Sequence, residues 1–171
     1  MKMETRITEG GERLLEALRH ELHQYGEMLS LLDRQQQAVM GRAADDVLKS
    51  VTAVNEQTTA VEQARQVREA RRADVAVLLA QPADATILQI VERLPQKYRP
   101  AIEALVRENN ELLTRVRQRA RQNHLLMTRS LELMQRVLNA FVPAAAPTTY
   151  TDAGKTIESG AQPVSLYDAV G

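Results

Sequence analysis

Residues 14–32, LLEALRHELHQYGEMLSLL, decide how this chain is read. Leu14, Leu18, Leu22, Tyr25, Leu29 and Leu32 recur at steps of three and four, the period of one helical face. The pattern predicts a long amphipathic helix over about residues 4–40, which needs a partner surface along most of its length. Gly41 is a suitable stop, and Asp45 or Asp46 can cap a second helix by accepting orphan backbone N–H bonds. That helix carries Val47, Val51, Val54, Thr58 and Val61 on one stripe and should run to about Ala80. Its β-branched residues are mediocre helix formers, so packing must hold it.

Gln81-Pro82 ends the second helix, because proline lacks a donor and disfavours helical geometry in the residue before it. Asp84 then opens a short apolar helix, ATILQIVERL, which stops before Pro95. Pro100 suits the first position of a third long helix, which should reach Val142, close to Pro143. The expected fold is all-α: an elongated antiparallel bundle or coiled-coil hairpin of three long helices and one short one. From Pro143 onward, three Pro and three Gly fall in 29 residues without periodicity. The division predicted is a helical domain over 1–142 and a disordered, flexible C-terminal tail over 143–171.

Composition agrees with helices packed along their length. The 171 residues are 44% hydrophobic but only 3% aromatic, so aliphatic side chains, Ala and Met must do the packing. Lys plus Arg (22) balances Asp plus Glu (22), against the broad positive field of a non-specific nucleic-acid or anionic-membrane binder. With no Cys, disulfides, thiolate catalysis and cysteine-ligated metal are excluded. The longest apolar run is VAVLLA (75–80), far short of the roughly 20 residues that span a bilayer. MKMETRITEG lacks the apolar region of a secretory signal, so the expected location is the cytoplasm.

Candidate chemistry is sparse. His20, Glu21, His23 and Glu27 cluster in RHELHQYGE, but two histidines at i and i+3 do not make the H-E-x-x-H zinc helix, and the remaining histidine is His124. Solvated helix polarity accounts for the cluster, and no metal or cofactor is expected. RQVREARRAD (65–74) and RVRQRARQN (115–123) are arginine-rich, yet Glu62, Glu69, Asp74, Glu108 and Glu111 are interleaved with them. An ion-pair face explains these stretches better than a nucleic-acid site. No phosphate-cradling glycine loop, nucleophile elbow or catalytic pair is present, and no enzymatic activity is expected.

The last long helix is different. On a helical wheel of residues 125–142, Met127, Leu131, Met134, Leu138 and Phe141 share one side, while Leu126, Leu133, Val137 and Ala140 extend it. The arc covers roughly half the circumference, wider than the ~100° stripe that packing one face requires. Either a central helix or a homodimer seam uses both sides, or part of the surface receives an amphipathic helix from another protein.

The end of the chain resembles the FlgN-type flagellar export chaperones. The resemblance is carried by RQNHLLMTRSLELMQRVLNAF, an Asn shortly before a Leu-Leu pair and leucines at helical spacing, followed by a proline-bearing break and TTYTDAGKT with Tyr150 four residues before Gly154. Helix lengths and order agree over about residues 4–142. The resemblance implies a non-enzymatic chaperone whose C-terminal helical region binds the C-terminal helical segment of hook-associated (hook-filament junction) proteins. It prevents their premature assembly and delivers them to the cytoplasmic domain of the export gate, with the export ATPase complex as a further contact. Carried onto this sequence, the client-facing residues are Leu126, Leu133, Val137 and Phe141, and the gate-docking residue is Tyr150. Thr151 stands where members often have Gly. Val164, Leu166, Tyr167 and Val170 could form a second docking segment or fold back over the apolar surface. The alternative reading is a structural coiled-coil or adaptor protein whose wide arc is a permanent homo-oligomer seam; a monomer or weak homodimer would instead leave the arc for a client.

Overall fold

The computed structural model describes residues 2–141. They form four helices in order: α1 (Lys2–Met40), α2 (Ala44–Leu78), α3 (Ile87–Val91) and α4 (Arg99–Phe141), with no strand among the described residues. The fold is all-α, as the periodicity predicts. The expectations for 143–171, and for Tyr150 and Tyr167 within it, lie outside the described residues.

The described residues divide into two units, one ending at Thr128 and the other beginning at Arg129. In the first unit α1 and α2 run antiparallel. Glu21 of α1 meets Arg68 of α2, and Gln24 accepts from Gln57 through both its backbone and side-chain oxygens at 3.0 and 2.8 Å. Near the start of α1, Gly10 and Gly11 sit side by side inside the helix, at a cost of roughly 1 kcal/mol each in propensity. Close packing explains them. A Cβ on Gly10 would lie 3.1–3.2 Å from Leu78 and Val75, and one on Gly11 would lie 3.3 Å from the Tyr98 ring.

The hydrophobic core lies at this end. Leu14 and Leu18 of α1, Val75 and Ala76 of α2, Ile90 and Val91 of α3, and Ile102 of α4 are buried together with Ala85, Leu94 and Tyr98. Two arginines tie down the loops around α3. Arg72 donates to the carbonyls of Ala83 and Ala85 at 2.9 and 2.7 Å, and Arg99 donates to those of Glu92 and Leu94. The stripe expected on α2 is only partly used, since Val51 and Thr58 are exposed and the buried α2 residues are Ala64, Val75 and Ala76. Burial follows α3, which covers the C-terminal part of α2 and leaves its N-terminal half outside the main core cluster.

Helix ends differ from expectation in detail. Gly41 does follow α1, but the left-handed residue is Arg42, at φ 55°. Ala43 N–H bonds to Ala38 O and Arg42 N–H to Val39 O, the paired bonds of a Schellman turn. The same turn closes α2, with Ala80 at φ 51° and bonds from Gln81 to Ala76 O and Ala80 to Val77 O. α2 is preceded by Ala43 without a side-chain cap, and Asp45 and Asp46 lie in its first turn, where negative charge favours the helix dipole. α3 is capped by Thr86 rather than Asp84: its hydroxyl accepts from Gln89 N–H while the Gln89 side chain accepts from Thr86 N–H, which shortens the helix to Ile87–Val91.

Candidate client-binding face on α4

The position of α4 is set by two asparagines. Asn109 donates from Nδ2 to Leu18 O at 3.1 Å, and Asn123 donates to Leu32 O at 2.7 Å and to Gln35 Oε1 at 3.0 Å. Each interhelical backbone bond spans 91 residues, so α4 runs parallel to α1 at a constant offset, and the two asparagines stand two heptads apart. Both Oδ1 atoms are buried without a donor, a cost that leucine would not carry. The pair therefore fixes register at some expense of stability. Arg119 adds an ion pair to Asp33 at 2.8 Å and a hydrogen bond to Gln36.

The α1-facing series 102, 109, 116 and 123 continues in sequence to Ser130 and Val137.

In the second unit, every described residue from Arg129 to Phe141 is exposed. Leu131, Leu133, Met134, Val137, Leu138 and Phe141 are each more than half exposed, with Phe141 at 82%, whereas Ile102 on the same helix is at 0%. Of the four residues named as client-facing, Leu133, Val137 and Phe141 stand open on this segment and Leu126 is half-buried. Leu131, Met134 and Leu138 are as open as they are. Sequence reasoning did not assign these three to the site, although their wheel positions place them on the same continuous arc. Such an arc exceeds the scattered single apolar residues that an ordinary surface carries.

The other candidate clusters are taken up by the fold. His20 and His23 are exposed, and the carboxylate between them, Glu21, is buried against Arg68 Nε at 2.8 Å while accepting from the Tyr25 hydroxyl at 3.1 Å. Burial, and then the Glu21 charge, push the Tyr25 pKa up to about 12. No group of three His, Cys, Asp or Glu side chains that could hold a metal occurs among the described residues. Arg68 and Arg72 both pair with Glu69 at 2.6 Å, and Arg71 pairs with Asp74 at 3.2 Å. Burial opposes ionisation of Glu69, but its bonds and charges from Arg72 and Arg68 outweigh this and hold its pKa below the ordinary value. These arginines are structural. A cavity of about 120 Å³ lies beside Tyr25, Arg68 and Asn109, and open surface hollows of about 370–510 Å³ lie elsewhere on α1, α2 and the α3 loops. No described helix is long and apolar enough to cross a membrane.

Comparison with known proteins agrees with this architecture. No curated protein and no solved structure matches the chain. The family model described as FlgN protein matches residues 3–158, which includes all of α1 beyond its first residue, α2, α3, α4 and the stretch around Tyr150. The chain therefore belongs to the FlgN family of flagellar export chaperones.

Proposed function

We propose that this protein binds the C-terminal helical segment of hook-associated proteins in the cytoplasm through the apolar arc of α4, keeps them from assembling prematurely, and delivers them to the export gate. The observation that carries this reading is the exposed run of Leu131, Leu133, Met134, Val137, Leu138 and Phe141 on one arc of α4. A helix-in-groove client would read such a surface through anchors at helical spacing, and Met127 and Met134 supply adaptable packing. Burying one amphipathic face at ~25 cal/mol per Å², less ordering and association costs, leaves affinities in the micromolar to nanomolar range. Release needs no chemistry; competition or pulling at the gate suffices.

Tyr150 is the proposed gate contact, an aromatic anchor that becomes useful when the gate supplies a pocket. The export ATPase complex is a further partner under this reading. Calorimetric titration with the C-terminal segments of hook-associated proteins from the same genome tests it: sub-micromolar, near-stoichiometric binding to at least one segment is expected. Absence of binding to all of them, with helicity intact, would refute it. Solution mass addresses the homo-oligomer alternative, which requires a concentration-independent dimer in which 126–141 is buried.

A further inference from the structure

Ion pairs within the fold do not use up the arginine-rich stretches 65–74 and 115–123. Arg68, Arg71, Arg72 and Arg119 are paired, but Arg65 of α2 and Arg117 of α4, both exposed, make no ion pair among the described residues. These two, one from each stretch, line a single hollow of about 120 Å³ within the first unit. Arg68 lines it as well, with its charge already answered by Glu21 at 2.8 Å and Glu69 at 2.6 Å. Arg65 lies close enough for its charge to act on the Tyr25 hydroxyl. Arg117 has no carboxylate three or four residues away on its own helix, where Leu113, Thr114, Ala120 and Arg121 stand. Much of the remaining lining is apolar, from Leu18, Ile87, Val106 and Leu113. Asn109, only 6% exposed, lines the same hollow, and its Oδ1 has no donor.

We propose that this hollow binds an acidic side chain on a segment of a partner protein, with Arg65 and Arg117 holding the carboxylate and the side-chain stem lying on Leu18 and Leu113. The site belongs to the first unit and the 131–141 face to the second, so the proposal does not rest on the client-binding reading above. A guanidinium fork matches a carboxylate in a bidentate pair. Two unanswered cations around a partly apolar cleft also raise the local concentration of anions. Three observations favour a protein segment over a free anion. The apolar lining offers nothing to phosphate or acetate but suits the methylenes of a glutamate. The Asn109 Oδ1 calls for a donor, which a peptide N–H supplies and an anion does not. The hollow also shares Arg68, Ile87 and Val106 with a neighbouring one of about 510 Å³ that is lined by the exposed Leu88, so a chain with an apolar residue beside its acidic one covers both. Glu21 and Glu69 beside the arginines weigh against a nucleic-acid backbone, which requires a row of free cations.

NMR titration of the full-length chain, read at the Nε–H signals of Arg65 and Arg117, tests the site. The probes are two pools of end-capped heptapeptides, one with a central Glu and varied apolar neighbours, the other with Gln in its place; sodium acetate and inorganic phosphate are titrated alongside. The proposal requires saturable shifts of both signals with the Glu pool, binding of the Gln pool weaker by about tenfold or more, and a loss of about tenfold for the Glu pool in Arg65→Gln/Arg117→Gln. Arg115→Gln/Arg121→Gln removes the same charge from exposed positions of α4 that do not line the hollow, and should bind as wild type does. All four arginines are exposed, so both variants should keep the helicity of wild type. No saturable shift with the Glu pool overturns the proposal, as does equal binding of the two pools. Saturation by acetate or phosphate at concentrations as low as those of the Glu pool overturns it in favour of a free-anion site. An equal loss in both variants also overturns it, in favour of unspecific charge attraction.

Discussion

At the scale of single residues, two positions stand in conformations that their side chains disfavour. Arg42 and Ala80 occupy the left-handed site of Schellman turns at φ 55° and 51°, where glycine is the usual residue. Arg42→Gly and Ala80→Gly should each raise stability by about 1 kcal/mol, measured by urea unfolding. Gly26 is the converse case. A Cβ there meets nothing within 4 Å, so Gly26→Ala should stabilise α1 by about 1 kcal/mol. Gly10→Ala should lose about as much, because stiff, buried Val75 cannot move aside. Tyr25 gives a pH signature. Its folded pKa of about 12 lies above the unfolded value of 10.0, so the folded chain keeps the proton longer; the stability this contributes is complete below pH 10.0 and is lost as pH rises toward 12. Urea midpoints measured across that range should fall in wild type, and Tyr25→Phe should lose this part of the slope.

At the scale of elements, helix existence was legible because period and punctuation agreed: the leucine series of α1, the break at Gln81-Pro82 and the start at Pro100 each have a local physical cause. The cap of α3 was misread because Asp84 and Thr86 are both good cap residues and only the Gln89 side chain, closing a capping box, decides between them. The register of α1 against α4 was not legible. It rests on Asn109 and Asn123, polar residues on an otherwise apolar seam, which a search for apolar periodicity passes over. Asn123→Asp removes the donor to Leu32 O and Gln35 Oε1 and buries a charge, and should cost about 3 kcal/mol by urea unfolding.

At the scale of the whole molecule, the width of the apolar arc on the last helix was readable from the sequence, but not which part of it is spare. That required the burial along α4, which falls from a fully buried Ile102 to exposed side chains from Arg129 to Phe141. The arginine-rich stretches show the reverse limit: the interleaved charges suggested ion pairs, which Arg68, Arg71, Arg72 and Arg119 make, while the loop-clamping role of Arg72 required the positions of the Ala83 and Ala85 carbonyls. An exposed apolar surface is not unique to α4, since Leu48 and Val51 of α2 are also exposed. The proposed client site nevertheless lies on α4 alone. The most direct test is calorimetric titration of one hook-associated C-terminal segment against wild type, Leu133→Asp/Val137→Asp and the control Leu48→Asp/Val51→Asp, with helicity checked for each. The expected result is unchanged affinity for the α2 control and a loss of about 100-fold or more for the α4 variant. Retained affinity in the α4 variant, or a comparable loss in the α2 control, would contradict a client site on α4.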